Sequence, residues 1–172
     1  ILADQGAEVV KVEPPGIGDL LRLSPFRRGE LGAFFVNGNR GKRSVVLDLQ
    51  KPQARGVLLR LVERADVFVQ NFRPGAVERL GIADPDLRRV RPDLVYCSIT
   101  GYGESGPYAG RRVYDPILQG LSGHVAIQKN PDVPIPDLIR HVVVDKASAW
   151  TAAQAITAAL LARERGAGGQ HV

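Results

Sequence analysis

Three observations predict an α/β fold in which helices cover both faces of a mostly parallel sheet. Short valine-rich runs recur along the chain, segments with helical spacing separate them, and glycine and proline mark the boundaries. The chain has 172 residues, of which 44% are hydrophobic and 24% are charged, which is sufficient for one core. We therefore expect a single α/β domain.

Three runs in the first half of the chain have the composition of buried strands. They are AEVVKVEPPG (7–16), SVVLDLQ (44–50) and ADVFVQNF (65–72). The intervening KPQARGVLLRLVERA (51–65) has apolar residues at helical spacing and Pro52 near its start. Residues 44–72 therefore predict a strand, a crossover helix and a second strand, the unit from which parallel sheets are built.

The second half of the chain continues the alternation. GAVERLGI (75–82) and DPDLRRVRPD (84–93) predict two short helices, and LVYCSITGYG (94–103) predicts a strand. DPILQGLSGHVAI (115–127) predicts one helix, and a long helix is predicted over 145–165. Three prolines indicate an irregular segment over 128–140.

The chain is basic, and its cations are scattered. The net charge is +5 and the pI is 9.7, with pairs such as Arg27-Arg28 and Arg111-Arg112. Such a surface suits nucleic acid or a small phosphorylated ligand. Because the pairs form no single stripe and no nucleic-acid motif is present, we expect no nucleic-acid partner. A non-enzymatic basic binding module stays open as an alternative.

Membrane, metal and disulfide proteins are not expected. The sequence has no apolar run that could cross a bilayer, and it opens without a signal-peptide pattern, which favours a cytoplasmic protein with no membrane partner. The three histidines have no ligand-like spacing, so we expect no metal. Cys97, the only cysteine, is expected to be a buried core residue.

One glycine motif is a misleading match. GYGESG (101–106) fits the G-x-G-x-x-G pattern of dinucleotide-binding turns and follows a predicted strand. Pro107 follows where a helix should open on the phosphates, and the motif lies at a late strand instead of the first. NAD or FAD binding is therefore not expected.

Asp145 stands at the start of the predicted long helix and allows two interpretations. Aspartate is a favoured N-cap residue and needs no further role there. The helix that follows carries eight alanines between 147 and 162, and we expect it to be buried. A carboxylate at the N-terminus of a buried helix lies in a favourable field and is expected to stay ionised, as a nucleophile requires.

Five stretches in fixed order carry a resemblance to a known family. They are LADQGAEVVKVEPPGIGD, NRGKRSVVLDL, ADVFVQNFRPGAVERLGI, PDLVYCSITGYGESGPYAGRRVYD and VVVDKASAWTAAQAITAALLARERGAGGQHV. Together they resemble the family III CoA-transferases, the group that includes formyl-CoA transferase and the carnitine CoA-transferase. The resemblance implies that residues 1–172 are part of a Rossmann-like large domain. A first strand upstream and a small domain downstream are then expected, and the segment alone is expected to be inactive.

The resemblance also implies a mechanism. In the family, the aspartate at the position of Asp145 attacks an acyl-CoA thioester, and the resulting mixed anhydride is captured by the CoA thiolate as an aspartyl-CoA thioester. An acceptor carboxylate then reverses the sequence. The implied substrates are acyl-CoA and a carboxylic acid, with coenzyme A as the carried group and no metal, and the full-length protein is expected to be an interlocked homodimer.

Residues implied to bind CoA are spread over three parts of the chain. By resemblance they are Leu47, Asn71, Phe72, Ala76, Arg79, Arg112 and Tyr114. The guanidinium of Arg79 suits the CoA phosphates, since arginine presents several donors in one plane.

The family that this sequence resembles also contains α-methylacyl-CoA racemases, which offer an alternative activity. They use a histidine, at the position of Tyr114, as one of two acid/base groups for proton transfer at the α-carbon. A phenol is a poor general base near neutrality, so the transferase interpretation is preferred over an acyl-CoA isomerase.

Overall fold

The computed structural model describes every residue from Ile1 to Val172, and the chain divides into two compact units. The first unit spans Ile1–Ala65 and the second spans Asp66–Val172. Each unit contains one pair of parallel strands together with helices, and one short antiparallel ribbon adds to the first. The prediction of an α/β fold with mostly parallel strands is confirmed.

The first unit is built on a parallel pair. Strand β1 (Val9–Glu13) pairs with β4 (Lys42–Val46), so that Val9 lies opposite Lys42. The intervening chain forms the two-residue strands β2 (Arg27–Arg28) and β3 (Leu31–Gly32) and helix α1 (Ala33–Asn39). Helix α2 (Pro52–Val62) follows β4 and confirms the helix predicted over 51–65. Leu58 and Val62 on α2 are the buried apolar residues of this unit.

The prediction that 44–50 forms a buried strand is wrong for this chain. Strand β4 ends at Val46, and most of its residues are exposed because β1 is its only partner. Leu47 therefore lies just beyond the strand, although its N–H still donates to the Glu13 carbonyl at 2.9 Å.

Glu13 organises the loop that follows β1. Its carboxylate is 2% exposed and accepts hydrogen bonds from Arg22 Nε and Nη2 at 2.9 and 2.8 Å and from Ser44 Oγ at 2.6 Å. It also accepts from the Asp19 N–H at 3.0 Å. The bonds from Arg22, aided by the other donors, outweigh the effect of burial and hold the Glu13 pKa well below its ordinary value. This one side chain thus fastens the segment around 19–22 to the paired strands.

The second unit contains the other parallel pair. Strand β5 (Val67–Gln70) pairs with β6 (Val95–Ser98), and the two predicted short helices between them are confirmed as α3 (Ala76–Leu80) and α4 (Asp84–Arg88). Residues 170–172 run along the other edge of β6. The N–H groups of Tyr96 and Ser98 donate to the carbonyls of residues 170 and 172, and the N–H of residue 172 donates to the Tyr96 carbonyl, each at 2.8 Å. The prediction that residues 44–72 form a strand, a crossover helix and a second strand of one sheet is therefore wrong, because β4 pairs with β1 and β5 pairs with β6.

Three helices follow β6. They are α5 (Asp115–Leu121), α6 (His124–Ile127) and α7 (Val143–Ala162), and α7 ends in a π-helical turn at Arg163–Ala167. The single helix predicted over 115–127 is wrong, because Gly123 has φ +85° and breaks it in two. Residues 128–142 contain no helix or strand, as the prolines predict.

The core of the second unit lies where α7 packs on β6. Tyr96 is fully buried there, and its hydroxyl donates to the Ile82 carbonyl at 3.1 Å. Cys97 is buried as predicted, and burial raises the pKa of its thiol. Only Ala153, Ile156 and Ala159 of α7 are buried, so the expectation that this helix is buried is wrong for most of its residues. No helix of the chain has the length and apolarity that crossing a membrane demands.

We predict that Glu13→Ala lowers the free energy of unfolding of the full-length protein by about 2 kcal/mol, because Arg22 and Ser44 lose a buried, charged hydrogen-bond acceptor. Urea denaturation measures this. Glu8→Ala is the matched control, since Glu8 pairs with Arg43 at the surface, and it should cost less than about 1 kcal/mol. Equal losses for the two variants would show that Glu13 does not organise this unit.

Candidate active site

Asp145 is the third residue of helix α7, not its N-cap. The N-cap residue is Val142, whose apolar side chain cannot accept a hydrogen bond from the helix, so the prediction of Asp145 as N-cap is wrong. The side chain of Asp145 is exposed, and its carboxylate accepts no hydrogen bond from the chain. A carboxylate in this position is open to an incoming ligand.

The N-terminus of α7 is instead capped by Asp115, the first residue of α5. Its Oδ2 accepts from the Val144 N–H at 2.8 Å and from the Asp145 N–H at 3.1 Å. Asp115 is 5% exposed, so these bonds are largely shielded from water. Sequence reasoning missed Asp115, because Asp-Pro at 115–116 is already explained as the start of its own helix.

Gln119 completes the capping arrangement from the next turn of α5. Its Nε2 donates to Asp115 Oδ1 and to the His141 carbonyl, and its Oε1 accepts from the Ile139 N–H at 2.9 Å. Gln119 is fully buried. Residues 139–141, which lead into α7, are therefore fixed to α5 by side-chain hydrogen bonds.

The two carboxyl groups have pKa values shifted in opposite directions. Burial tends to raise the pKa of Asp115, but the bonds from Gln119, Asp145 and Val144 outweigh it and the pKa is lowered. Partial desolvation raises the pKa of Asp145, and the negative charge of Asp115 adds to this against the opposing charge of Lys146. The N–H groups of residues 144 and 145 donate to Asp115 and not to Asp145, and the expectation that Asp145 stays ionised remains a prediction.

The predicted CoA-binding residues of the second unit begin directly after β5. Asn71 and Phe72 lie in the turn 71–75, both with exposed side chains, and Phe72 is 41% exposed. Ala76 is the first residue of α3, and Arg79 is exposed on the same helix beside Gly75. Apart from Ala76, these residues present side chains that solvent or a ligand can reach.

The remaining predicted residues lie in separate places. Arg112 is exposed in the loop after β6, and Tyr114, which is 70% exposed, immediately precedes Asp115 and so lies close to the start of α7. Leu47 belongs to the first unit, where it is half-buried. The structure thus brings Tyr114 near Asp145, and it gives no direct contact between Asp145 and the turn 71–75.

The turn 71–75 and the loop 99–114 leave the same edge of the β5–β6 sheet. The strands are parallel, and the Ile99 N–H donates to the Gln70 carbonyl at 2.9 Å where they end. Ligands of α/β proteins bind at this edge, outside the carboxyl ends of the strands. The segment between GYGESG and Asp115 contains no helix. A Cβ on Gly101 would lie 2.0 Å from Val113 Cγ1, so packing is sufficient to require a glycine at this position.

No group of three or more histidine, cysteine, aspartate or glutamate side chains could hold a metal ion. The features that remain are an exposed, unpaired carboxylate at a helix N-terminus and a basic, ligand-accessible edge of a parallel sheet. They define an α/β protein with an accessible carboxylate and an accessible basic sheet edge.

The chain belongs to CoA-transferase family III, which it matches over residues 1–172. It is 41% identical to a probable fatty acyl-CoA transferase of Mycobacterium tuberculosis over 96% of this chain and 42% of that protein. It is also 41% identical to a succinate–glutarate CoA-transferase of Agrobacterium fabrum over 100% of this chain and 44% of that protein. The chain therefore spans less than half the length of these relatives.

Solved structures agree with the fold. A CAIB/BAIF family protein from Brucella suis superposes with a TM-score of 0.93 at 38% identity, covering 99% of this chain and 46% of that one. A crystal structure of the Mycobacterium tuberculosis protein gives a TM-score of 0.88 at 40% identity, over 99% and 46%.

We predict that Asp115→Ala lowers the free energy of unfolding of the full-length protein by about 2 kcal/mol at neutral pH, because two N–H groups of α7 lose a charged acceptor. The pKa of Asp115 is lowered in the folded state, so its stabilising contribution is present above the ordinary aspartate pKa and disappears as the pH falls through the folded value.

The difference from wild type should therefore shrink as denaturation is repeated at acidic pH. Asp132→Ala, in the exposed segment after α6, is the control and should change stability by less than about 0.5 kcal/mol at either pH. A pH-independent loss in Asp115→Ala would contradict the assigned capping role.

Proposed function

We propose that the full-length protein is a CoA-transferase that moves CoA between an acyl-CoA thioester and a free carboxylic acid through a covalent intermediate on Asp145. The observation that carries this proposal is the Asp145 carboxylate, which is exposed and unpaired while Asp115 holds the backbone beneath it. Membership of CoA-transferase family III supports the reaction class. The named activities of the relatives support acyl-CoA and carboxylic acids as substrates.

The first half-reaction begins when an Asp145 oxygen attacks the thioester carbonyl of the donor. The carbon–sulfur bond breaks, CoA leaves as the thiolate, and a mixed anhydride joins the acyl group to Asp145. The thiolate then attacks the Asp145 carbonyl carbon and expels the donor acid as a carboxylate. Asp145 now carries CoA as a thioester, so one difficult exchange is divided into two acyl transfers.

The second half-reaction runs the same steps in reverse with the acceptor. The acceptor carboxylate attacks the aspartyl thioester and releases the CoA thiolate, which gives a second mixed anhydride. The thiolate attacks the acceptor's acyl carbon, the new acyl-CoA leaves, and Asp145 returns as a carboxylate. Protons and electrons balance without a metal or a redox cofactor.

The raised pKa of Asp145 supports its role as nucleophile. Every early N–H group of α7 has an acceptor other than Asp145: Val143 donates to the His141 carbonyl, residues 144 and 145 donate to Asp115, and Lys146 donates to the Val142 carbonyl. The Asp145 oxygens thus lack internal donors that would reduce their basicity, and a more basic carboxylate is a stronger nucleophile.

CoA is proposed to lie along the edge where β5 and β6 end. Asn71 and Phe72 would contact it from the turn 71–75, Ala76 would allow close approach at the start of α3, and the Arg79 guanidinium would pair with phosphate. Arg112 and Tyr114 join this set from the loop after β6, and Leu47 of the first unit is proposed as a further CoA contact.

We also propose that the working protein is a cytoplasmic homodimer and that residues 1–172 alone do not catalyse transfer. Support comes from the family resemblance in sequence and from the relatives, which are more than twice as long as this chain. Ile127, Ile135 and Leu20 are among the large apolar side chains exposed here, which suits further polypeptide around both units.

We predict that hydroxylamine or borohydride, added after incubation of the full-length protein with an acyl-CoA, marks Asp145 in a peptide mass map. Asp145→Asn should lose both the mark and transferase activity, because an amide is not a nucleophile of this kind. Asp132→Asn is the matched control and should retain both. Full transfer by Asp145→Asn, or a mark on a different residue, would overturn the covalent mechanism.

We predict that the full-length protein, given a 2-methylacyl-CoA in deuterated water without an acceptor acid, does not exchange the α-proton at a rate comparable to CoA transfer. The reason is Tyr114, whose phenol is a weak base near neutrality. Mass spectrometry of the recovered thioester measures uptake. Rapid deuterium incorporation would assign the protein to the racemase type of activity instead.

A further inference from the structure

A chain of hydrogen bonds joins the turn 71–75 to both strand ends. The Phe72 N–H donates to Gln70 Oε1 at 2.7 Å, and Gln70 Nε2 donates to Ser98 Oγ at 2.9 Å. Ser98 Oγ lies 2.8 Å from His171 Nε2, on the strand-like segment at the far side of β6. Gln70 is therefore the link between the turn and the sheet.

The order of donors and acceptors fixes how the Gln70 amide is turned. The Phe72 N–H can only donate, so Oε1 must face the turn and Nε2 must face Ser98. The Ser98 hydroxyl accepts from Gln70, and its oxygen also lies within hydrogen-bond distance of His171 Nε2. A reversed amide would place two donors against each other at Phe72.

The turn has few other constraints on its conformation. Within it, the Ala76 N–H donates to the Arg73 carbonyl at 3.0 Å, whereas the Asn71 side chain has no hydrogen-bond partner and the Phe72 ring is exposed. Gln70 is 7% exposed, so its bond to the Phe72 N–H is shielded from competing water. The direction in which Asn71 and Phe72 point therefore depends on Gln70.

We propose that Gln70 is a positioning residue for CoA binding, which presets the backbone of the turn 71–75, and that Ser98 and His171 fix the orientation of its amide. This inference rests on the proposed function, since the turn is the proposed CoA contact. Gln70 itself does not touch CoA. Because a preset turn needs less ordering when CoA binds, Gln70 is expected to change the affinity for CoA and not the rate of the chemical step.

The test compares variants of the full-length protein by CoA titration calorimetry and by steady-state transfer. Gln70→Leu removes both hydrogen bonds of the amide, and we expect CoA to bind about tenfold more weakly, with KM for acyl-CoA raised and kcat unchanged. Ser98→Ala removes the acceptor for Nε2 and should weaken binding in the same direction. Gln70→Glu keeps an acceptor for the Phe72 N–H and should bind CoA more tightly than Gln70→Leu.

Cys97→Ala is the matched control, since Cys97 neighbours Ser98 on β6 but lies outside the hydrogen-bond chain. It should lose stability without loss of CoA affinity. If Gln70→Leu does not fold, the CoA affinity of Ser98→Ala is compared with that of Cys97→Ala to test the inference. CoA affinity in Gln70→Leu or Ser98→Ala equal to that of the control would overturn the inference.

Hydrogen exchange of the Phe72 amide in the CoA-free protein separates this inference from the proposed function. Exchange should accelerate in Gln70→Leu and stay at the wild-type rate in Cys97→Ala. Unchanged exchange, in a protein that binds CoA and transfers it, would overturn the positioning role alone. A wild-type protein that binds no CoA would overturn the proposed function, and the role of Gln70 in CoA binding with it.

Discussion

The hydrogen bonds from the start of α7 to Asp115 are the interaction on which the candidate site depends. Two N–H groups of α7 converge on one oxygen of a buried carboxylate, and Gln119 holds the other oxygen. The favourable field of the helix N-terminus is thereby used by Asp115. Asp145, in the first turn of the helix, is left without donors and next to a negative charge. Partial desolvation and the neighbouring Asp115 charge together raise its pKa.

Buried polar side chains also fasten loops to the ends of strands in both units. In the second unit, Gln70 and Ser98 join the ends of β5 and β6, so the side chains that follow can remain exposed and unpaired. In the first unit, Glu13 fastens the loop after β1 in the same manner, through Arg22 and Ser44. In both units a buried polar residue at the end of a strand fixes backbone, while some neighbouring side chains stay exposed.

Much of the fold could be predicted from the sequence, because local pattern determines it. Strands β1 and β5, the helix beginning at Pro52 and the irregular segment predicted over 128–140 all follow from residue type and spacing. Strand pairing could not, since β5 and β6 join over 24 intervening residues with no local signal for their register. Asp145 was identified from its place before the alanine-rich helix, but Asp115 acts 30 positions away, and sequence patterns do not reveal such long-range capping.

The covalent mechanism through Asp145 is tested most directly by tracing an oxygen atom of the acceptor acid. If the acceptor acid attacks an aspartyl-CoA thioester on Asp145 and CoA then leaves with the acceptor's acyl group, one acceptor oxygen must stay on Asp145. Turnover of the full-length protein with an ¹⁸O-labelled acceptor carboxylate, followed by peptide mass spectrometry, measures this transfer. The covalent mechanism predicts ¹⁸O in the side-chain carboxylate of Asp145. Sustained transfer of CoA with no ¹⁸O in that peptide would contradict it.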